Sequence, residues 1–121
     1  MAVSIKTKYG DVDISNEVIA SIVGLAATDI YGIVGMASKN QIRDGFNEIL
    51  NRDNYARGVV VRQQESGTSI DVYIIVGYGV KISEVCRNVQ SKVKYNLEKY
   101  LGLQTAKVNV YVQGVKVLEE D

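Results

Sequence analysis

The residues best equipped for chemistry in this 121-residue chain are a lone thiol, two glycine-flanked turns and an excess of tyrosine. Cys86 falls in the first turn of a predicted helix, where the helix dipole lowers a thiol pKa and favours the nucleophilic thiolate. Turned toward a sheet beside Val85 and Val89, the same residue is a small core side chain, and its apolar neighbours favour that reading. Gly77-Tyr78-Gly79 stands between a strand and a helix, a setting in which glycines admit a phosphate to a helix N-terminus, with Lys81 at hand for an anion. Position 82 is Ile, so the third glycine of a dinucleotide fingerprint is missing, and no Lys-Ser or Lys-Thr follows a phosphate loop. A plain strand-to-helix turn without a cofactor is the expectation there.

Tyr31-Gly32-Ile33-Val34-Gly35 sets a GxxG between two predicted helices, where RNA-binding KH domains carry the loop that clamps the nucleic-acid backbone. Ile33 and Val34 suit burial better than phosphate contact, so the first reading is two glycines that release one helix and turn toward the next. KH-like RNA binding through Gly32 and Gly35, with charge from Lys39 and Arg43, is the alternative. Eight Tyr against one Phe and no Trp point instead to surfaces that are half dry, where an apolar ring with a polar tip is favoured. Tyr73 and Tyr111 lie on the faces of their strands opposite the Val and Ile rows, so adjacent strands would bring the two rings into one patch or leave them covering the sheet's second face. Arg87, Lys92, Lys94 and Lys99 form a basic flank on the third helix, suited to an acidic protein and more weakly to anionic headgroups. Tyr73, Tyr111, Arg87 and Lys94 are therefore the candidate interaction surface.

Composition narrows the field by absence. With no His and one Cys, the usual zinc sites, His-based acid-base chemistry and Cys-His or Ser-His-Asp nucleophile systems are excluded, and no internal disulfide can form. Fourteen Lys plus Arg are offset by 14 Asp plus Glu, and zero net charge disfavours a dedicated nucleic-acid binder. The segment from Val18 to Ala37 carries only Asp29 as a charge, yet Gly24, Gly32 and Gly35 interrupt it and Asp11, Asp13 and Glu17 precede it. It reads as a buried helix followed by a buried loop, not as a membrane span or a signal peptide. A single intracellular domain that binds or assembles is the expectation.

The positioning elements follow from periodicity. A hairpin centred on Tyr9-Gly10 sets Lys8 opposite Asp11 and Lys6 opposite Asp13, with Thr7 meeting Val12 and Ile5 meeting Ile14. Ser15 caps a helix carrying Ile19, Ile22, Val23, Ala26 and Ile30 and ending near Tyr31. Ser38 to Gln41 reads as a capping box for a second helix with Ile42, Phe46, Ile49 and Leu50, finished around Asn51 to Asn54. Strands follow from Val59 to Gln64 and from Ser69 to Tyr78, joined by a turn at 65–68. A helix from Ser83 to Leu101 carries the row Val85, Val89, Val93 and Leu97, and Gly102 ends it. In the last strand, Lys107 to Val117, the apolar phase shifts at Gln113-Gly114, as a β-bulge does. The expected fold is α+β, a two-layer mixed sheet with helices packed on it in the order ββ-α-α-ββ-α-β, whose final βαβ unit pairs in parallel.

These segments resemble the alkaline shock protein family of Gram-positive bacteria, an envelope stress response family, and most closely its short YloU-type branch. The resemblance rests on Tyr9 to Ser15 leading into Glu17 to Ala20, Tyr31 to Met36, Val72 to Val76 with Tyr78 to Ile82, Val89 to Lys94, and Val108 to Val115. It spans residues 4 to 117, nearly all of the single domain 1–121. The resemblance implies a non-enzymatic cytoplasmic protein of cell-envelope homeostasis that forms homo-oligomers. It also implies a protein partner at the membrane or in lipid metabolism, with proximity to the membrane gained through that partner. The family offers no catalytic motif to carry over, and this chain lacks the charged extensions of its longer members.

Overall fold

The computed structural model describes residues 2–38, 49–50, 52–64 and 67–117. Among them the elements are strands β1 (Ala2–Thr7) and β2 (Gly10–Ser15), helix α1 (Asn16–Thr28), β3 (Ile33–Ala37), the two-residue β4 (Ile49–Leu50) and a 3-10 helix (Arg52–Gly58). These are followed by β5 (Val59–Gln64), β6 (Gly67–Gly77), helix α2 (Ile82–Leu101) and β7 (Thr105–Lys116). β1 and β2 form a separate two-stranded sheet. In the main sheet β6 is central: β3 and β5 pair antiparallel with its C-terminal and N-terminal parts, and β7 pairs with it in parallel. β4 extends β3.

Alternation along β6 sends Ile70, Val72, Ile74 and Val76 to one face, where all four are fully buried. Against them α1 sets Ile19, Val23, Ala26 and Ala27, and α2 sets the i, i+4 row Val85, Val89, Val93 and Leu97. Fully burying such side chains contributes roughly 1.5 to 3 kcal/mol each, so this layer is the main source of stability. Ser15 caps α1 by accepting from the Val18 N–H at 3.3 Å. Gly102, at φ +67, ends α2 in the left-handed conformation that favours glycine. The α+β class, the parallel β6–α2–β7 unit and the bulge are as expected: Ile74 pairs with Val112 and Ile75 with Gly114, so Gln113 is the extra residue.

The order ββ-α-α-ββ-α-β needs correction. Ile33–Ala37, read as a loop, is a strand, because β6 supplies a non-local partner for its backbone groups. The segment from Val18 to Ala37 is thus most of the helix Asn16–Thr28, a turn and a strand. No helix among the described residues is long and apolar enough to cross a membrane. Most of the expected second helix lies outside the described residues; its last apolar pair, Ile49 and Leu50, is strand, and at its expected finish, around Asn51 to Asn54, a 3-10 helix begins at Arg52. The hairpin also differs in register. Lys8 and Tyr9 form the loop, Lys6 faces Asp11, Ser4 faces Asp13, and Ile5 meets Val12. The Thr7 side chain decides this: its hydroxyl donates to the Gly10 carbonyl at 2.7 Å and accepts from the Tyr9 N–H at 3.2 Å, closing the turn one residue earlier. The apolar and polar faces survive the shift, but neither expected charge pair does: Lys6 moves from Asp13 to Asp11, and Lys8 enters the loop.

Candidate functional site

On the sheet face away from the helices, β6 presents Ser69, Asp71, Tyr73 and Ile75, and the parallel register sets Tyr73 directly beside Tyr111. Their rings stack with centroids 5.0 Å apart and planes 17° from parallel. Such a pair contributes roughly 0.5 to 1.5 kcal/mol beyond its buried area. Tyr73 is half-buried, while Tyr111 is 41% exposed and forms the outer surface of the pair.

Beside the rings lies a charge held laterally. Asp71 is 6% exposed, and its Oδ1 accepts from Arg62 Nη2 at 3.0 Å and from Asn109 Nδ2 at 2.9 Å. Three adjacent strands therefore meet on one carboxylate. A buried carboxylate requires such partners, and the pairing fixes both the register and the floor on which the tyrosines rest. Burial, then the Asp71 charge, then Tyr111 push the Tyr73 phenol above its ordinary pKa, while Arg62 opposes the shift. The phenol is thus a neutral hydrogen-bonding group at neutral pH. Arrayed this way, the face offers stacked rings, hydroxyls and a partly exposed guanidinium, which are contact chemistry.

The structure brings together only two members of the candidate surface. Arg87 and Lys94 are exposed on α2, in the helical layer on the opposite side of the sheet. Arg87 Nε donates to the Ser83 carbonyl of its own helix at 3.3 Å. The GxxG does not form a loop between helices. Gly35 is buried in β3 beside Ile75. Gly32, at φ +101, is enclosed so closely that an added Cβ would lie 2.9 Å from Val85 Cγ2. Lys39 and Arg43 lie outside the described residues. At the other glycine turn, the Gly77 N–H donates to the Gly32 carbonyl and the Tyr78 N–H to the Lys116 carbonyl, each at 2.9 Å, so these two amides are already engaged within the fold. Cys86 is half-buried, and burial pushes its thiol upward, against the activating effect of the helix N-terminus.

One feature went unread in the sequence. Between α1 and α2 runs a groove of about 640 Å3 bordered by Tyr55, Tyr95, Tyr100, Lys92 and Lys99. Lys99 Nζ lies 5.5 and 5.4 Å from the Tyr95 and Tyr100 ring centroids, and Lys92 pairs with Asp29 at 3.7 Å. The i, i+4 placement of Tyr95 and Lys99 was a visible signal, whereas the approach of Asp29 to Lys92 needs the packed helices.

A chain of this fold, with a tyrosine-faced sheet and no cluster of metal-ligating side chains among its described residues, matches the model of the alkaline shock protein 23 family, described as having cell envelope-related function, over residues 4–117. The chain belongs to that family. It is 61% identical over 117 residues to the uncharacterized protein YloU of Bacillus subtilis, covering 97% of this chain and 98% of the relative. It is 54% identical to the uncharacterized protein Spy1614 of Streptococcus pyogenes over the whole of both chains. A more distant relative, a stress response regulator gls24 homolog of Streptococcus pyogenes, is 24% identical over 92% of this chain and 62% of its own length. No solved structure matches.

Proposed function

We propose that the chain is a non-enzymatic cytoplasmic scaffold of the cell envelope that associates with itself and holds a membrane-associated or lipid-metabolic protein, using the Tyr73–Tyr111 face for contact. The observation that carries this reading is the stacked pair itself, lying on the sheet face opposite the helices with Tyr111 41% exposed. Tyrosines pre-positioned in this way contribute contact area at low entropic cost on binding. Family membership supports the envelope setting, and the name of the gls24 homolog supports a link to stress. The KH-like alternative loses its basis with Gly35 in a buried strand.

Crosslinked pulldown from lysate, run beside sedimentation of the purified chain, tests the reading. Wild type is expected to self-associate and to capture an envelope or lipid-enzyme partner. Tyr73→Ala with Tyr111→Ala, checked for folding by circular dichroism, is expected to lose the captured partner. A wild-type chain that stays monomeric at high concentration and captures no such partner contradicts it.

A further inference from the structure

The main sheet has an unpaired edge. Among the described residues β5 pairs with β6 alone, and no backbone hydrogen bond is made by its outer side. Such an edge, with outward N–H and C=O groups, is a template for another strand. Beside it lies a groove of about 500 Å3 lined by Asn16, Ala20, Ala56, Val59 and Val61. Asn16 Oδ1, on the groove wall, is buried and has no hydrogen-bond partner among the described residues.

The chain carries the complement to this edge. β1 and β2 make a sheet of their own, so β2 bonds to β1 and not to the main sheet, and its second edge is free among the described residues. Val12 on β2 is 47% exposed, and Asp11 and Asp13 are exposed on its other face. On β5, Val59 and Val61 pair with Val72 and Ile70 and so face the core, while Val60 and Arg62 face the tyrosine side. The two strands match face for face. Laid along β5, β2 continues the apolar layer with Val12 beside Val59 and Val61, and it sets Asp11 and Asp13 on the side of Arg62. The Arg62 side chain is 46% exposed and gives one donor to Asp71, leaving others for a second carboxylate.

We propose that β2 of one copy adds to the free edge of β5 in a second copy, extending the mixed sheet across the contact. This rests on the reading that the chain self-associates, and it names the strands that join. Within one molecule the two strands belong to different sheets, so the pairing is made between copies.

The test uses full-length chains in a Cys86→Ser background, one carrying Val12→Cys and the other Val61→Cys, mixed and treated with a short bis-maleimide. A heterotypic 12–61 crosslink, well above that of a Val12→Cys and Lys94→Cys pair, is expected. In sedimentation, Asp11→Lys with Asp13→Lys, both at exposed positions, is expected to weaken association about tenfold or more by replacing attraction with repulsion, with thermal stability retained. Assembly of the wild type without the 12–61 crosslink overturns the strand pairing while leaving the tyrosine face standing, and 61–61 crosslinks alone overturn it in favour of β5 pairing with itself. A wild type monomeric at every concentration overturns both this pairing and the self-association on which it rests.

Discussion

The two faces of β6 are built from one stretch of chain by opposite means. Toward the helices, Ile70, Val72, Ile74 and Val76 are fully buried by packing from above. Away from them, Ser69, Asp71 and Ile75 are nearly as buried, at 1%, 6% and 5% exposure, yet Asp71 and its neighbour Tyr73 are organised sideways, by Arg62, Asn109 and Tyr111 on adjacent strands. The helix-covered face derives its stability from non-directional apolar burial, whereas the other derives its order from specific cross-strand pairs. An aliphatic face covered by helices has no group left to offer, while a laterally braced face keeps rings and hydroxyls available for a partner.

The largest expected effect lies on the covered face. Ile74→Ala removes a fully buried side chain and should cost about 2 to 5 kcal/mol, read as a fall in the denaturant midpoint at unchanged slope. On the other face, Arg62→Ala leaves the Asp71 carboxylate with Asn109 as its remaining side-chain partner among the described residues. Because the arginine is 46% exposed and water screens part of the interaction, a loss of about 1 to 2 kcal/mol is expected. Equal losses from these two substitutions would erase the distinction between the faces.

Alkaline pH acts on the same contrast. The fold raises the Tyr73 phenol above its unfolded value, mainly by burial, so its contribution is fully present below the ordinary phenol pKa of about 10 and is lost as pH rises through the folded value. Burial raises the Cys86 thiol in the same direction, with its loss beginning nearer pH 9. Stability should therefore decline in alkali, and Tyr73→Phe with Cys86→Ser should flatten that decline when thermal midpoints are compared from pH 8 to 11. The smallest effect belongs to the exposed α2 flank: Lys94→Ala should change stability by less than about 0.5 kcal/mol and leave self-association intact.

Much of this contrast was legible in the sequence because it is periodic. Alternation over β6 and the i, i+4 row of α2 mark the parallel strand-helix-strand unit, and the phase shift at Gln113 marks its bulge, while the Tyr73–Tyr111 contact follows only once β6 and β7 are neighbours in register. The Asp71 cluster was only half visible. Its face follows from alternation, but its partners depend on the registers of three strands: Arg62 reaches it across the β5–β6 hairpin and Asn109 from 38 residues further along the chain. β3 is hidden for the same reason: four apolar residues interrupted by Gly35 carry no period of their own, and pairing with β6 makes them a strand. In the hairpin, one threonine hydroxyl outweighed a plausible set of charge pairs. Residue types alone put Arg87 and Lys94 in one candidate surface with the tyrosines, although the sheet lies between them.

The assignment of contact to the laterally braced face is tested most directly by a photo-crosslinking side chain placed in living cells at position 111 and, separately, at position 94. The account predicts crosslinks to a partner or to a second copy from position 111 and none above background from position 94. Crosslinks from position 94 with none from 111 would contradict it and move the working surface to the helices.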